Sequence, residues 1–163
     1  MIKKPIVYLE TSIINYLFDD DKPEKQHDTW RLWNEIKTGK YDVVISDAVV
    51  SEIEDCPPDF GEKKKKMRDE INRIEYNEIE VLEMAEAIAL ANAYINAGGL
   101  PPSCKMDALH IAAATLANCD YILSWNFSHI VKLKAMRAVK KVNADGLWKP
   151  LEILSPTIFL GEE

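Results

Sequence analysis

Residues 7–17 read Val7-Tyr8-Leu9-Glu10-Thr11-Ser12-Ile13-Ile14-Asn15-Tyr16-Leu17. The apolar, β-favouring run at 6–9 predicts a strand buried on both faces, because a half-exposed strand would alternate polar and apolar residues. That run stops at Glu10. A carboxylate ending a buried strand loses hydration, so it needs a hydrogen-bonded partner or a bound cation. Thr11 or Ser12 is then placed to cap a helix running to about residue 20. A buried strand leading directly into a helix is the opening unit of an α/β fold.

Outward from this unit the alternation repeats. Residues 19–23 are a polar break, and 26–37 carry Trp30, Trp33 and Ile36 at helical spacing. Residues 42–45 predict a second strand, and Ser46 or Asp47 caps the following helix, which carries Glu52. Residues 56–60, with Pro57-Pro58, are a loop, and 62–74 a charged helix. Met84, Ala87, Ile88, Ala91, Tyr94 and Ile95 form one apolar helical stripe, closed by Gly98 and Gly99. A second Pro-Pro loop at 100–105 leads to an alanine-rich helix at 106–117, beginning near Asp107. A third strand at 121–124, an amphipathic helix at 128–142 and a short strand at 152–154 complete the pattern. Strands alternating with helices predict a mainly parallel sheet covered on both faces. Functional groups in such sheets gather beyond the carboxyl ends of the strands.

The bulk properties agree. At 163 residues the chain is read as one domain, 1–163, long enough to bury a core without disulfides. With 47% hydrophobic and 29% charged residues it is globular in composition. No apolar run reaches the roughly 18–20 residues that a membrane span needs. The basic start at 1–5 is followed by an apolar stretch that Glu10 interrupts, which argues against a secretory signal. Cys56, Cys104 and Cys119 are an odd set without a Cys-x-x-Cys pair, as in a reducing compartment. A cytoplasmic protein is the expectation. The net charge of −7 disfavours a protein that coats nucleic acid without specificity, but not an RNA enzyme whose local charge differs from its total.

Four side chains fall where the sheet would gather function. Glu10 ends the first strand, Glu52 lies on the helix after the second, Asp107 opens a helix after a loop, and Asn126 follows the third strand. Crowded carboxylates repel and raise one another's pKa values. A hard cation such as Mg²⁺ or Mn²⁺ relieves that repulsion through oxygen ligands, activates water and clamps a scissile phosphate. Asp107 is equally well read as an ordinary acidic residue of a helix start, and Glu52 alone as a solvated one.

In order along the chain, VYLETSIINYL (7–17), VVISDAVVSEIED (43–55), MDALHIAAA (106–114) and DYILSWNFSHI (120–130) resemble the four motifs of PIN domains, and LEILSPTIFL (151–160) resembles their closing strand and Ser-Pro turn. The acidic or amide positions fall on Glu10, Glu52, Asp107 and Asn126. The group most similar is that of the VapC toxins. The resemblance implies a three-layer α/β/α sandwich and metal-dependent ribonuclease activity with Mg²⁺ or Mn²⁺. It also implies an RNA substrate, a homodimer and a small antitoxin partner. Glu10 stands where most members have Asp, and Asn126 where many have Asp. Those departures support an alternative, a catalytically degenerate binding or scaffold protein on the same fold. A phosphotransfer enzyme or receiver ranks lower, because Glu10-Thr11-Ser12 is neither Asp-x-Asp nor an acidic pair.

Other residues carry two readings each. Ser12 is either a helix cap or a member of the metal and phosphate network. His110, three residues after Asp107, can share a metal with it, but packing or hydrogen bonding beside the site is the better reading. Lys63 to Lys66 make a solvated helix face. Lys134, Arg137 and Lys141 share one helix side and can hold an RNA backbone or simply face solvent. Tyr16, Trp30 and Trp33 can form a dimer or antitoxin groove, with core packing expected for at least one tryptophan.

Overall fold

The short run Ile6–Leu9 forms β1, whose Val7, Tyr8 and Leu9 are fully buried. Burying an apolar side chain of this size contributes about 1.5–3 kcal/mol, which fixes the strand at the centre of the molecule. The computed structural model describes residues 3–161, so Met1 and Ile2 of the basic start, and Glu162 and Glu163 at the other end, lie outside the described residues. After β1 come α1 (Thr11–Tyr16), α2 (Pro23–Lys37), β2 (Asp42–Ser46), α3 (Asp47–Glu54), α4 (Gly61–Ile71), β3 (Asn77–Ile79) and α5 (Ala85–Asn96). Then follow α6 (Lys105–Leu116), β4 (Tyr121–Leu123), α7 (Leu133–Asp145), β5 (Glu152–Leu154) and α8 (Pro156–Leu160).

The five strands form one sheet in the order β3-β2-β1-β4-β5, and every pairing is parallel. The chain steps outward from β1 to β3, then returns past β1 to lay down β4 and β5. Right-handed crossovers put the helices of the two halves on opposite faces. Helices α1, α3 and α4 pack together with α2 against α1, while α5 packs on α6 and α7. The result is the three-layer α/β/α sandwich expected from the sequence. The strand order reverses between β1 and β4, the place where open parallel sheets leave a crevice at their carboxyl ends.

Several boundaries differ from expectation, each for a local reason. Glu10, not Thr11 or Ser12, is the N-cap of α1: its backbone is extended, and its carboxylate accepts from Ser12 N at 3.0 Å. That helix ends at Tyr16 instead of near residue 20. Strand β3 was not anticipated. It is three residues long, exposed or half-buried, and shows no apolar period. Helix α7 begins at Leu133 rather than 128, because the Asn126 carbonyl accepts from both Ile130 N and Val131 N and holds a turn there. After β5, Ser155 caps a short helix, accepting from Ile158 N at 3.3 Å, where a turn was expected.

Of the aromatic set proposed for a groove, Trp33 is fully buried in its own chain and donates to the buried Glu70 at 2.9 Å, so it is a core residue and not an interface residue. Trp30 is half-buried and donates to the Leu17 carbonyl at 3.0 Å. Behind the sheet, Tyr94, Thr115 and Asn143 close a buried triangle of hydrogen bonds at 2.6–3.1 Å that ties α5, α6 and α7 together. No helix among the described residues is long and apolar enough to cross a membrane.

Candidate functional site

The crevice between β1 and β4 is built by short-range capping. Glu10 is 5% exposed, and its carboxylate is saturated with donors. Ser12 Oγ donates to Oε1 at 2.6 Å, Ser124 Oγ donates to the same oxygen at 2.5 Å, and Ser12 N reaches Oε2 at 3.0 Å. Ser12 Oγ in turn accepts from Trp125 N at 2.8 Å, and Ser124 Oγ accepts from Asn126 N at 2.9 Å. Ser12 is therefore not the helix cap. It laces the end of β1 to the end of β4 while orienting Glu10. Hydrogen bonds to an ionised acceptor are the stronger kind, so this lacing holds the carboxylate at a fixed place despite its burial.

Glu52 reaches the same crevice from α3. Its Oε1 accepts from Thr11 Oγ1 at 2.8 Å and pairs with His110 Nε2. The His110 ring is fully buried, and its Nδ1 is hydrogen-bonded to Tyr8 OH at 2.7 Å; Tyr8 OH also meets Ser46 Oγ at 2.7 Å. The chain Ser46–Tyr8–His110–Glu52 thus runs from the end of β2 through the sheet to the crevice. Burial raises the Glu52 pKa, but donation from His110 and Thr11 outweighs it and holds the carboxyl below its ordinary value. Burial likewise disfavours the charged His110 ring, yet the Glu52 partner and the charges of Glu10 and Asp107 push its pKa upward.

Asp107, in the first turn of α6, behaves differently. It is half-buried, and among the described residues its carboxylate accepts no hydrogen bond. Burial, then the charge of Glu10, raises its pKa. Asn126 is half-buried, and its Oδ1 accepts from His129 N at 3.0 Å, so the amide fixes the turn after β4.

Two donor groups result. Glu10, Glu52 and His110 bring one ligand atom each to within 4.8 Å of one another, and Cys104, Asp107 and His129 do the same. The two carboxylates fit a small divalent cation of the Mg²⁺ to Mn²⁺ range, whereas both ring nitrogens of His110 are engaged, by Glu52 and by Tyr8, so that the ring positions Glu52. A cavity of about 280 Å³ opens beside this first group, lined by Glu10, Thr11, Ser12, Asn15, Glu52 and Cys56 among others. The sequence favours packing or hydrogen bonding beside the site for His110, and the ring is buried and bonded to Tyr8 and Glu52. Sequence reasoning passed over Tyr8 and Ser124, gave Thr11 only a capping role, and treated Cys104 as an ordinary thiol. The three-residue spacing of Cys104 before Asp107, and of His129 after Asn126, was the available signal.

A search of curated proteins by sequence returned no match. Among solved structures the chain is similar to one in the crystal structure of VapBC2 from Rickettsia felis bound to a DNA fragment from their promoter. The TM-score is 0.57 at 15% identity, over 92% of this chain and 98% of that one. At that identity the likeness is one of fold. The PIN domain family matches residues 7–126, a span that takes in both the strand-end carboxylate at Glu10 and the turn residue Asn126. A match over most of the chain, on the fold that the family implies, establishes the assignment: this chain belongs to the PIN domain family, whose members are generally nucleases.

Proposed function

We propose that this chain, as one domain over residues 1–163, is a metal-dependent endoribonuclease of the VapC toxin type. One observation carries this reading: Glu10 and Glu52 bring carboxylate oxygens to within 4.8 Å of each other where the strand order reverses. The proposed cation is Mg²⁺ or Mn²⁺, held directly or through water by Glu10, Glu52 and Asp107, with Asn126 assisting through its carboxamide. When bound, such a cation supplies positive charge and an acidified water for hydrolysis of an RNA phosphodiester. Ser12 and Ser124 orient Glu10, while Thr11 and His110 orient Glu52. Asp107, half-buried and without a donor, gains most from a nearby cation. Cleavage in this reading leaves a 5′-phosphate and a 3′-hydroxyl, in the cytoplasm, and a small antitoxin protein is the expected partner.

The test compares Glu10→Gln and Asp107→Asn with the parent by calorimetric Mn²⁺ titration and by cleavage of structured RNA. Loss of an outer partner of a metal ligand costs roughly 10–100-fold in affinity or activity, and each of these changes is expected to cost at least that. Asn caps a helix about as well as Asp, so Asp107→Asn is expected to melt at the same temperature as the parent, or higher, without metal. A variant that binds Mn²⁺ and cuts RNA like the parent would remove its residue from the site. A parent that neither binds metal nor cuts RNA would favour the degenerate binding protein instead.

A further inference from the structure

We propose that Cys104, Asp107 and His129 form a second cation position, built of sulfur, oxygen and nitrogen donors, that takes a transition ion of the Zn²⁺ class. It rests on the proposed function only through Asp107, which both readings use.

The three side chains come from two separate segments. Cys104 is the N-cap residue of α6, its backbone N donating to the Pro101 carbonyl at 2.9 Å in the Pro-Pro loop. Asp107 follows three residues later, on the same face of the first helical turn. His129 arrives from the other side, on the turn after β4, with its backbone N held by Asn126 Oδ1 at 3.0 Å. The donor atoms lie within 4.8 Å of one another. A tetrahedral ion with bonds of about 2.0–2.3 Å needs donors about 3.3–3.8 Å apart, so side-chain rotation of an ångström or so closes the set.

The polar partners of the three point the same way. Glu10 and Glu52 are each satisfied by neighbouring donors, whereas Asp107 is half-buried with none among the described residues. Among the described residues the only hydrogen-bond partner of the Cys104 sulfur is Ser103 Oγ, at 3.9 Å. With no donor among the described residues, the half-buried Asp107 carboxylate keeps its oxygens open to a cation. Donor chemistry then selects the ion: thiolate and imidazole favour Zn²⁺ and Co²⁺ over Mg²⁺. All three residues are half-buried rather than buried, so a fourth coordination position stays open to water or to a phosphate oxygen, as in catalytic rather than structural zinc sites.

Cobalt(II) is the probe, because a cobalt–thiolate bond gives a near-ultraviolet charge-transfer absorption that oxygen and nitrogen ligands do not. Metal-stripped, reduced protein is titrated with Co²⁺. The expected result is a saturable near-ultraviolet band that Zn²⁺ abolishes and excess Mg²⁺ leaves in place. Cys104→Ser is expected to lose the band, His129→Gln to weaken its affinity by 10-fold or more, and Glu10→Gln and Glu52→Gln to keep it. Circular dichroism of Cys104→Ser checks that the chain still folds, and Cys56→Ser serves as a second variant expected to keep the band. Absence of the band in the parent, its survival in Cys104→Ser, or its displacement by Mg²⁺ overturns the proposal. Failure of the ribonuclease reading shows separately, as absent RNA cleavage in a protein that still gives the band.

Discussion

Tyr8 carries one hydroxyl that two buried side chains use at once, Ser46 Oγ and His110 Nδ1, each at 2.7 Å. Tyr8→Phe keeps the ring in the core but strands the histidine nitrogen, and a buried polar atom left without its partner costs about 1–3 kcal/mol. At roughly 2–4 °C per kcal/mol for a chain of this size, thermal melting without metal is expected to show a clear drop. Because His110 also orients Glu52, Mn²⁺ affinity is expected to fall by about 10–100-fold. An unchanged melting temperature together with unchanged affinity would mean that the hydroxyl holds neither. The sequence alone exposed Glu10, because a charge terminating an apolar strand is conspicuous in one dimension. It did not expose Tyr8, which reads as one more apolar strand residue until Ser46 at the end of β2 and His110 in α6 are seen to meet its hydroxyl. Cys104 and His129 stayed hidden for a similar reason: a Pro-Pro loop and the turn after β4 bring them together, and composition does not fix either path.

Asp120 pins the start of two elements. Its Oδ2 accepts from Ile6 N at 2.8 Å, at the head of β1, just before β4 begins, and its Oδ1 pairs with Lys149 Nζ at 2.8 Å. Burial raises its pKa, but the Ile6 N–H and Lys149 outweigh that and hold it below the ordinary 3.8. A carboxyl whose pKa is depressed by folding stabilises the fold above its unfolded value, and loses that contribution as pH falls through the folded value. Asp120→Asn is therefore expected to melt below the parent at neutral pH, with the gap closing as pH drops below 3.8. Both partners are over a third exposed, so solvent screening limits the effect to under about 1 kcal/mol. A gap independent of pH would assign the loss to packing instead. Periodicity located β1, β2, β4 and β5, which carry buried aliphatic residues. It missed β3 because Asn77–Ile79 is an edge strand recruited by pairing with β2 and not by its own pattern. It started α7 too early because the turn held by Asn126 has helix-compatible composition.

The whole molecule carries a net charge of −7, yet one exposed side of α7 presents Lys134 and Arg137, with Lys141 paired to Asp145. A symmetric dimer is the expected assembly, since C₂ pairing is the commonest oligomer symmetry. With Trp33 committed to the core, Tyr16 and Trp30 are the aromatics left for such an interface. Multi-angle light scattering at micromolar concentration is expected to report twice the chain mass, and a monomer would count against the dimer.

The fold class was legible because alternation of strand and helix is a global pattern. The reversal of strand order was not, because sequence order says nothing of which side a returning strand takes. That reversal has a consequence for the growing chain. Strands β1 to β3 and their helices are contiguous in sequence and can associate as they are made, but they carry only Glu10 and Glu52. Everything that completes either donor group, from Cys104 to His129, is made later and docks through the β1–β4 pairing and through α6 on β2 and α3. During synthesis the protein is therefore an open half-sheet with an incomplete crevice, and the cation binding proposed above would become possible only when its second half has closed over the first.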